Sequence, residues 1–459
     1  MTTPNSVAID VARRASDATL EFIASLPERP VAMHGAHDWA TEHLDVPLPD
    51  SQGEALDTLE RLISASEKSV VASAGGRFFG LVVGGSLPAA VGARILNAGW
   101  DQLAISDETS PIARVAEHVA SRWVLDVLGL PSQSSAGFVT GASLANLQSL
   151  AVARAAMLRR SGWDLAEHGL NGAPPIRIVT SAAIHPTVRK MMHVLGFGNA
   201  DITAVPCDEQ GRVLPDAMPE VDHRTIVVLQ AGCVNTGASD PFNAIADRIE
   251  GTGAWLHIDG AFGLWAAASP KLRHLVDGAE RADSWAVDAH KWLNTPYDCG
   301  MAVCAHPEEV KNLLAFNAPY VPNVSGLPQK DMVLELSRAA RGIEVWAALH
   351  SLGRQGTAEL IERCCEYART FADGLEAQGF TILNDVVQNQ VVATIDGQED
   401  RMTELAKHVQ MSGECWFGNT VWQGRKAIRI SVSNWQTNGD DVRRSLAAIA
   451  KAAGDLGLG

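Results

Sequence analysis

The segment AVDAHKWLNTPYDCG ends an apolar, strand-like run in Asp288, His290 and Lys291 and then meets aromatic and turn residues. A lysine at a strand end can project into a site. Its amine becomes a nucleophile when burial or neighbouring cations disfavour the charged form, and it then condenses with an aldehyde cofactor as an imine. Alone, such a lysine reads as an ordinary surface residue. Asp259, closing the strand-like run in WLHIDGAFGLWA, adds a second group. A buried carboxylate is costly unless paired. A protonated pyridine nitrogen would pair it and remain an electron sink, with Ala261 leaving room for the ring. The plain alternative for Asp259 is a helix cap or a turn.

A third element is GFVTGASLANLQSLAVARAA, where a strand passes into a helix through Thr140, Gly141, Ala142 and Ser143. Backbone N–H groups at a helix start and the helix dipole attract an anion, and small residues let a phosphate approach. Ser143 adds a hydroxyl, although a simple N-cap serine fits equally. His185, in SAAIHPTVRKMM, follows the run IRIVT and would stand at the same rim. Its functional reading, stacking over a cofactor ring, rests on the other three elements. Without them it is a structural histidine.

These residues need strands that end together. Apolar β-rich runs occur at 176–180, 225–230, 255–259, 285–289 and 301–305, alternating with helical patterns over 76–355. Such alternation predicts an α/β domain with a mostly parallel sheet, whose ligands sit beyond the carboxyl ends of the strands. Ile112, Val115, Val119, Trp123 and Val127 mark one face of an amphipathic helix. Residues 1–75 read as a helical arm broken by proline loops, which must pack on the main domain or on a partner. From 356 to 459 a helix, the runs FTIL, VVATI and IRISVS, and a final helix from Asp440 predict a smaller α+β domain.

Bulk properties narrow the function. The 459-residue chain exceeds the usual size of a single core, and a formal charge of −16 disfavours nucleic acid and anionic membrane as partners. Seven cysteines without a C-x-x-C pattern predict no disulfide or zinc framework, no metal site, and a reducing compartment. The first residues lack the apolar core of a signal peptide and no run reaches the ~20 residues of a membrane helix, so a cytoplasmic protein is expected. An oxidoreductase reading fails for want of G-x-G-x-x-G after a strand.

In this order the motifs resemble the group II pyridoxal phosphate (PLP)-dependent amino-acid decarboxylases, which include aromatic-amino-acid and glutamate decarboxylases. The resemblance runs from RFFGLVVGGSLPAA through SPIARVAEHVASRWVLDVLGLP to AIRISVSNW. It implies PLP fold type I, the aspartate aminotransferase-like fold, and a homodimer with active sites at the subunit interface. Lys291 would be the Schiff-base lysine, Asp259 the partner of the pyridine nitrogen and His185 the stacking histidine. Gly141 lies at the phosphate side, and Ala142, Ser143 and His290 match phosphate-side or cofactor-side positions. Ser337 matches a position from which the partner subunit reaches the phosphate.

The resemblance also implies a reaction: decarboxylation of an L-amino acid to its amine. Tyr320, 29 residues after Lys291, matches a loop tyrosine that returns a proton to Cα. Arg429 matches the arginine facing the substrate carboxylate, where it would hold the breaking bond at right angles to the ring. Keeping both Tyr320 and His185 favours simple decarboxylation over oxidative conversion to an aldehyde. Aldol-type lyase activity, transamination and a non-catalytic PLP-binding role are the other readings. Three departures stand out. Leu81, Val82, Val83 and Gly84 replace a bulkier substrate wall, so a medium aliphatic or a loosely held aromatic amino acid fits. Cys233 and Val234 replace paired threonines, removing a hydroxyl expected near His185. Asp288 stands beside the phosphate position, where it either points away or is compensated.

Overall fold

The structure is a computed structural model that describes residues 4–316 and 328–458. Seven strands form the main sheet: β1 (Ser135–Val139), β2 (Arg177–Ser181), β3 (Ile202–Val205), β4 (Thr225–Gln230), β5 (Trp255–Asp259), β6 (Ser284–Asp288) and β7 (Gly300–Cys304), in the order β1-β7-β6-β5-β4-β2-β3. Every neighbouring pair is parallel except those of β7, which runs against both β1 and β6. Strands β1, β4, β5, β6 and β7 are buried along their whole length, because helices cover both faces. Their sequences are therefore apolar runs rather than alternating ones. β3 is half exposed at the sheet edge and gave no apolar run to read.

One sheet edge collects the carboxyl ends of β1, β2, β4, β5 and β6, and β7 starts there, with Gly300 opposite Asp288. A Cβ on Gly300 would lie 2.5 Å from Gly141 Cα, so only glycine lets the start of β7 pass beneath the β1–helix turn. The helix Ala142–Arg160 leaves that turn and packs across the sheet.

The C-terminal part carries a second, antiparallel sheet of β8 (Thr381–Ile382), β9 (Gln390–Thr394), β10 (Gly418–Trp422) and β11 (Arg425–Ser431), ordered β10-β11-β9-β8. It includes the half-exposed β10, which the apolar pattern does not mark. The closing helix is Gly439–Asp455, capped by the Asn438 side chain at its first N–H groups. A long helix, Gly342–Glu376, joins the two sheets and is interrupted at Gly353, which has φ 61°.

The expected amphipathic helix forms as Pro111–Val127, but it turns its small residues inward: Ala113, Ala120 and Val124 are buried, while Ile112 and Val115 are 45% and 61% exposed. The N-terminal part of its large-apolar stripe, Ile112 and Val115, therefore faces away from the chain's own core, while Trp123 and Val127 pack against it. The N-terminal helices Pro4–Ser25, Ala36–Leu44 and Ala55–Ser69 likewise bury few side chains. No helix among the described residues is long and apolar enough to cross a membrane.

Candidate active site

A cavity of about 570 Å³ opens at the carboxyl edge of the main sheet, bounded on its far side by Arg429 of β11. Lys291 follows β6 by three residues and extends its amine into this cavity, where Nζ lies 3.0 Å from Asp288 Oδ2. The turn that presents it is pinned by Asn294, which adopts φ 56° and whose Nδ2 donates to the carbonyls of Trp292 and Ser433 at 3.0 and 2.9 Å. Asn294 Oδ1 accepts from the Trp435 N–H at 2.8 Å, and its carbonyl accepts from the Leu87 N–H at 2.8 Å. On the other side Gly84 presses against the same turn. A Cβ there would lie 1.8 Å from the Lys291 carbonyl oxygen, so the loop bearing Leu81 and Val82 reaches the cavity only because residue 84 is glycine.

Asp288 points into the cavity, and its charge is compensated. Its Oδ1 accepts the Ala142 N–H at 2.6 Å at the start of the helix Ala142–Arg160, and Oδ2 faces both Lys291 Nζ and His290 Nε2, the latter at 3.7 Å. His290 Nδ1 accepts the Cys299 N–H at 3.1 Å, and burial lowers the pKa of this histidine. The ring of Tyr297 lies against it at 4.3 Å between centroids, and burial pushes the Tyr297 phenol up to about 12.

Asp259 is the contrasting carboxylate. It closes β5, lines the cavity, is 7% exposed, and among the described residues forms no ion pair within 4 Å. Its Oδ1 accepts the Ala261 N–H at 3.2 Å. Burial raises its pKa, while the Lys291 charge opposes that shift. A buried anion of this kind requires a cation or a proton from a ligand.

His185 caps the helix Pro186–Val194 and lines the cavity. Its Nδ1 accepts the Thr187 N–H at 3.2 Å and meets the Thr187 hydroxyl at 2.6 Å, so the proton resides on Nε2. The hydroxyl expected from residues 233 and 234 is thus supplied by Thr187 instead. Burial and the nearby Lys291 and Arg429 charges lower the His185 pKa to about 4, which keeps the ring neutral. Arg429 donates to the Val234 carbonyl at 3.2 Å and, among the described residues, pairs with no carboxylate. Burial lowers its pKa.

Most sequence-identified residues therefore meet in one cavity: Lys291, Asp259, His185 and Arg429 supply the charged and ring groups, with Gly141, Ala142, Ser143, Ala261 and His290 around them and Leu81 and Val82 on the wall. Ser337 is exposed and does not line it. Tyr320 lies outside the described residues. Sequence reasoning missed Tyr297 and Asn294, although both stand in the segment that contains Lys291. An asparagine shortly after the lysine in a turn was the available signal, since asparagine tolerates positive φ.

The donor set fits pyridoxal phosphate. Lys291 offers an amine for its aldehyde, Asp259 an unpaired carboxylate for its ring nitrogen, and the helix start offers the Ser143 backbone N–H and hydroxyl for its phosphate, the Ala142 N–H being held by Asp288. Gly141, the N-cap, contributes no side chain to compete for the Ser143 N–H.

Comparison with known proteins agrees. Residues 42–395 match the pyridoxal-dependent decarboxylase conserved domain. Tryptophan decarboxylase 1 of Oryza sativa subsp. japonica is 24% identical over 96% of this chain and 93% of its own length. The aromatic-L-amino-acid decarboxylase of Bacillus atrophaeus is 25% identical over 97% and 95%. The fold matches that of Oryza sativa TDC, solved with PLP and tryptamine, at a TM-score of 0.90 and 23% identity, covering 99% of this chain and 100% of that one. The shared fold is type I of the PLP enzymes, and with the family domain spanning most of the sequence, this chain belongs to the pyridoxal-dependent decarboxylases.

Proposed function

We propose that this cavity removes carbon dioxide from an L-amino acid with an uncharged, apolar side chain and releases the corresponding amine. The observation that carries the reading is the convergence of an unpaired buried carboxylate, a lysine amine and a guanidinium without a carboxylate partner on one cavity. Bound PLP would supply the electron sink for the bond pair left at Cα. Lys291 would hold the cofactor through its amine. Asp259 keeps the ring nitrogen protonated, and His185 supports the ring as a neutral group. The Arg429 fork matches a carboxylate and fixes the substrate's orientation. Tyr320 is assigned the return of a proton to Cα.

The side-chain preference rests on charge. Lys291 and Arg429 are the only lysine and arginine lining the cavity among the described residues, and both have roles. The wall adds the apolar Leu81, Val82, Val234 and Phe262 and uncharged polar groups such as Thr140, Gln230 and Tyr297, so an acidic side chain would be desolvated without a cation of its own.

The reading extends to assembly. The exposed Ile112 and Val115, the 92% exposed Leu48 of the N-terminal arm and the exposed Ser337 support a homodimer with the site at its interface. The arm (1–75), PLP-binding domain (76–355) and small domain (356–459) are the corresponding organisation. Seven unpaired cysteines support a cytoplasmic location.

The test is carbon dioxide release from each common amino acid by the PLP-loaded enzyme, with amine and peroxide assayed in parallel. Stoichiometric amine from apolar amino acids, none from glutamate or aspartate, and loss of release in Lys291→Ala are expected. Peroxide with an aldehyde, glycine, or a keto acid as product would overturn decarboxylation. Release from glutamate would overturn the side-chain preference alone.

A further inference from the structure

Strand alternation puts Trp255, His257 and Asp259 on one face of β5, and Ser284 stands opposite His257 on β6. The helix Ala142–Arg160 packs on β5 and brings Asn146 to the same place. Trp255, His257, Ser284 and Asn146 are each 0% exposed. Trp255 Nε1 donates to Ser284 Oγ at 2.9 Å, Ser284 Oγ meets His257 Nδ1 at 2.9 Å, and His257 Nε2 meets Asn146 Oδ1 at 2.7 Å.

The direction of this chain follows from the Ser284 hydrogen. An indole N–H can only donate, so Ser284 Oγ accepts there, and the acceptor its own hydrogen meets among the described residues is His257 Nδ1. His257 is neutral, since burial lowers its pKa to about 3, and with Nδ1 accepting, its proton sits on Nε2. That proton goes to Asn146 Oδ1, which leaves the Asn146 amide hydrogens for Asp259. Among the described residues Nδ2 makes no regular hydrogen bond. Asp259 stands two residues from His257 on the same face of β5, and the Asn146 side chain draws the pKa of its carboxyl down, against the upward effects of burial and of Asp288. The reverse direction would present the Asn146 oxygen to a carboxylate and leave the Ser284 hydrogen without its acceptor.

We propose that Asn146, His257, Ser284 and Trp255 are positioning residues: a one-directional donor chain that ends at Asp259 and holds it as an anion aimed into the cavity. The inference rests on the reading of Asp259 as the partner of the ring nitrogen. The chain touches neither substrate nor cofactor. Its effect is to keep a donor at the back of Asp259, so that the front of the carboxylate stays charged and available to the pyridine nitrogen.

The experiment is nitrogen NMR of the holoenzyme reconstituted with PLP labelled with nitrogen-15 in the ring, comparing the unaltered protein with Asn146→Ala, Ser284→Ala and Trp255→Phe. A protonated ring nitrogen is expected in the unaltered enzyme. In Asn146→Ala the signal should move toward the deprotonated position and kcat should fall about tenfold or more with KM nearly constant. Trp255→Phe and Ser284→Ala, which remove the donors that set the direction, should move it the same way by less. His257→Gln, which keeps a side-chain donor toward Asn146, should move it less than Asn146→Ala does. A folded, PLP-loaded Asn146→Ala with unchanged signal and kcat would overturn the chain. If Asn146→Ala does not load the cofactor, unchanged signals in both other variants do so. A deprotonated ring nitrogen in the unaltered enzyme would instead remove the role of Asp259 itself.

Discussion

Asp259 and Asp288 end neighbouring parallel strands and line the same cavity, yet they are treated in opposite ways. Asp288 is saturated by the Ala142 N–H, Lys291 and His290 on its own side of the sheet edge. Asp259 receives one short-range backbone N–H, from Ala261, and no ion pair among the described residues. Equal burial thus produces two chemistries. A carboxylate whose partners come with the chain organises the site, whereas one left without a cation is reserved for a ligand. The separation depends on which residues lie within reach, not on depth.

Breaking the reserved carboxylate should have the larger effect. Asp259→Asn removes the charge that balances a protonated ring, and kcat should fall roughly a thousandfold, as for loss of a central electrostatic group. Steady-state kinetics at saturating PLP measure it. Asp288→Asn is the matched change on the saturated side. The amide still accepts the Ala142 N–H while the negative charge beside the phosphate site disappears, so PLP should bind about fivefold tighter, corresponding to ~1 kcal/mol. Equilibrium titration decides it. Weaker binding would mean that the Asp288 charge serves mainly to hold Lys291.

The smallest effect is on stability. His257, behind Asp259, stays neutral in the folded chain down to about pH 3, whereas the unfolded chain protonates it near the ordinary histidine value of about 6.5. Between those limits the unfolded state binds one proton more, so this histidine makes stability fall as pH falls. Asp240 is pushed up to about 7 by burial and acts in the opposite sense, retaining a proton the unfolded chain releases. That term is common to both proteins when the unaltered chain is compared with His257→Asn. The difference in their unfolding free energies should therefore change by about 1.4 kcal/mol per pH unit between pH 4 and 6. Denaturant unfolding of the cofactor-free proteins at those two pH values measures it, and parallel pH dependences would refute the neutral buried histidine.

What was legible in the sequence was what neighbouring residues encode. Lys291, Asp259, His185 and the Ala142 helix start each sit at the junction of an apolar run with polar or small residues, and such junctions show in a window of a few residues. The five buried strands were readable for the same reason. Other features depend on distant partners. Asn146 meets His257 across 111 residues, and neither position has a local pattern that singles it out. The compensation of Asp288 required the fold to bring Ala142 within 2.6 Å, and the hydroxyl at His185 came from Thr187 rather than from the aligned segment. The stripe from Ile112 to Val127 was recognisable as apolar, but periodicity does not say that Trp123 packs on the chain's own core while Ile112 and Val115 stay exposed.

The junction at Asn294 has a consequence for how the protein is made. Its bonds to residues 433 and 435 tie the lysine turn to a segment synthesised some 139 residues later. Arg429, the far wall of the cavity, emerges only shortly before them. Because translation delivers the chain from its N-terminus, a ribosome-bound chain ending before residue 435 has a complete main sheet and an unfastened lysine. Cofactor capture by a fastened lysine turn therefore waits until the segment around residue 435 has been made.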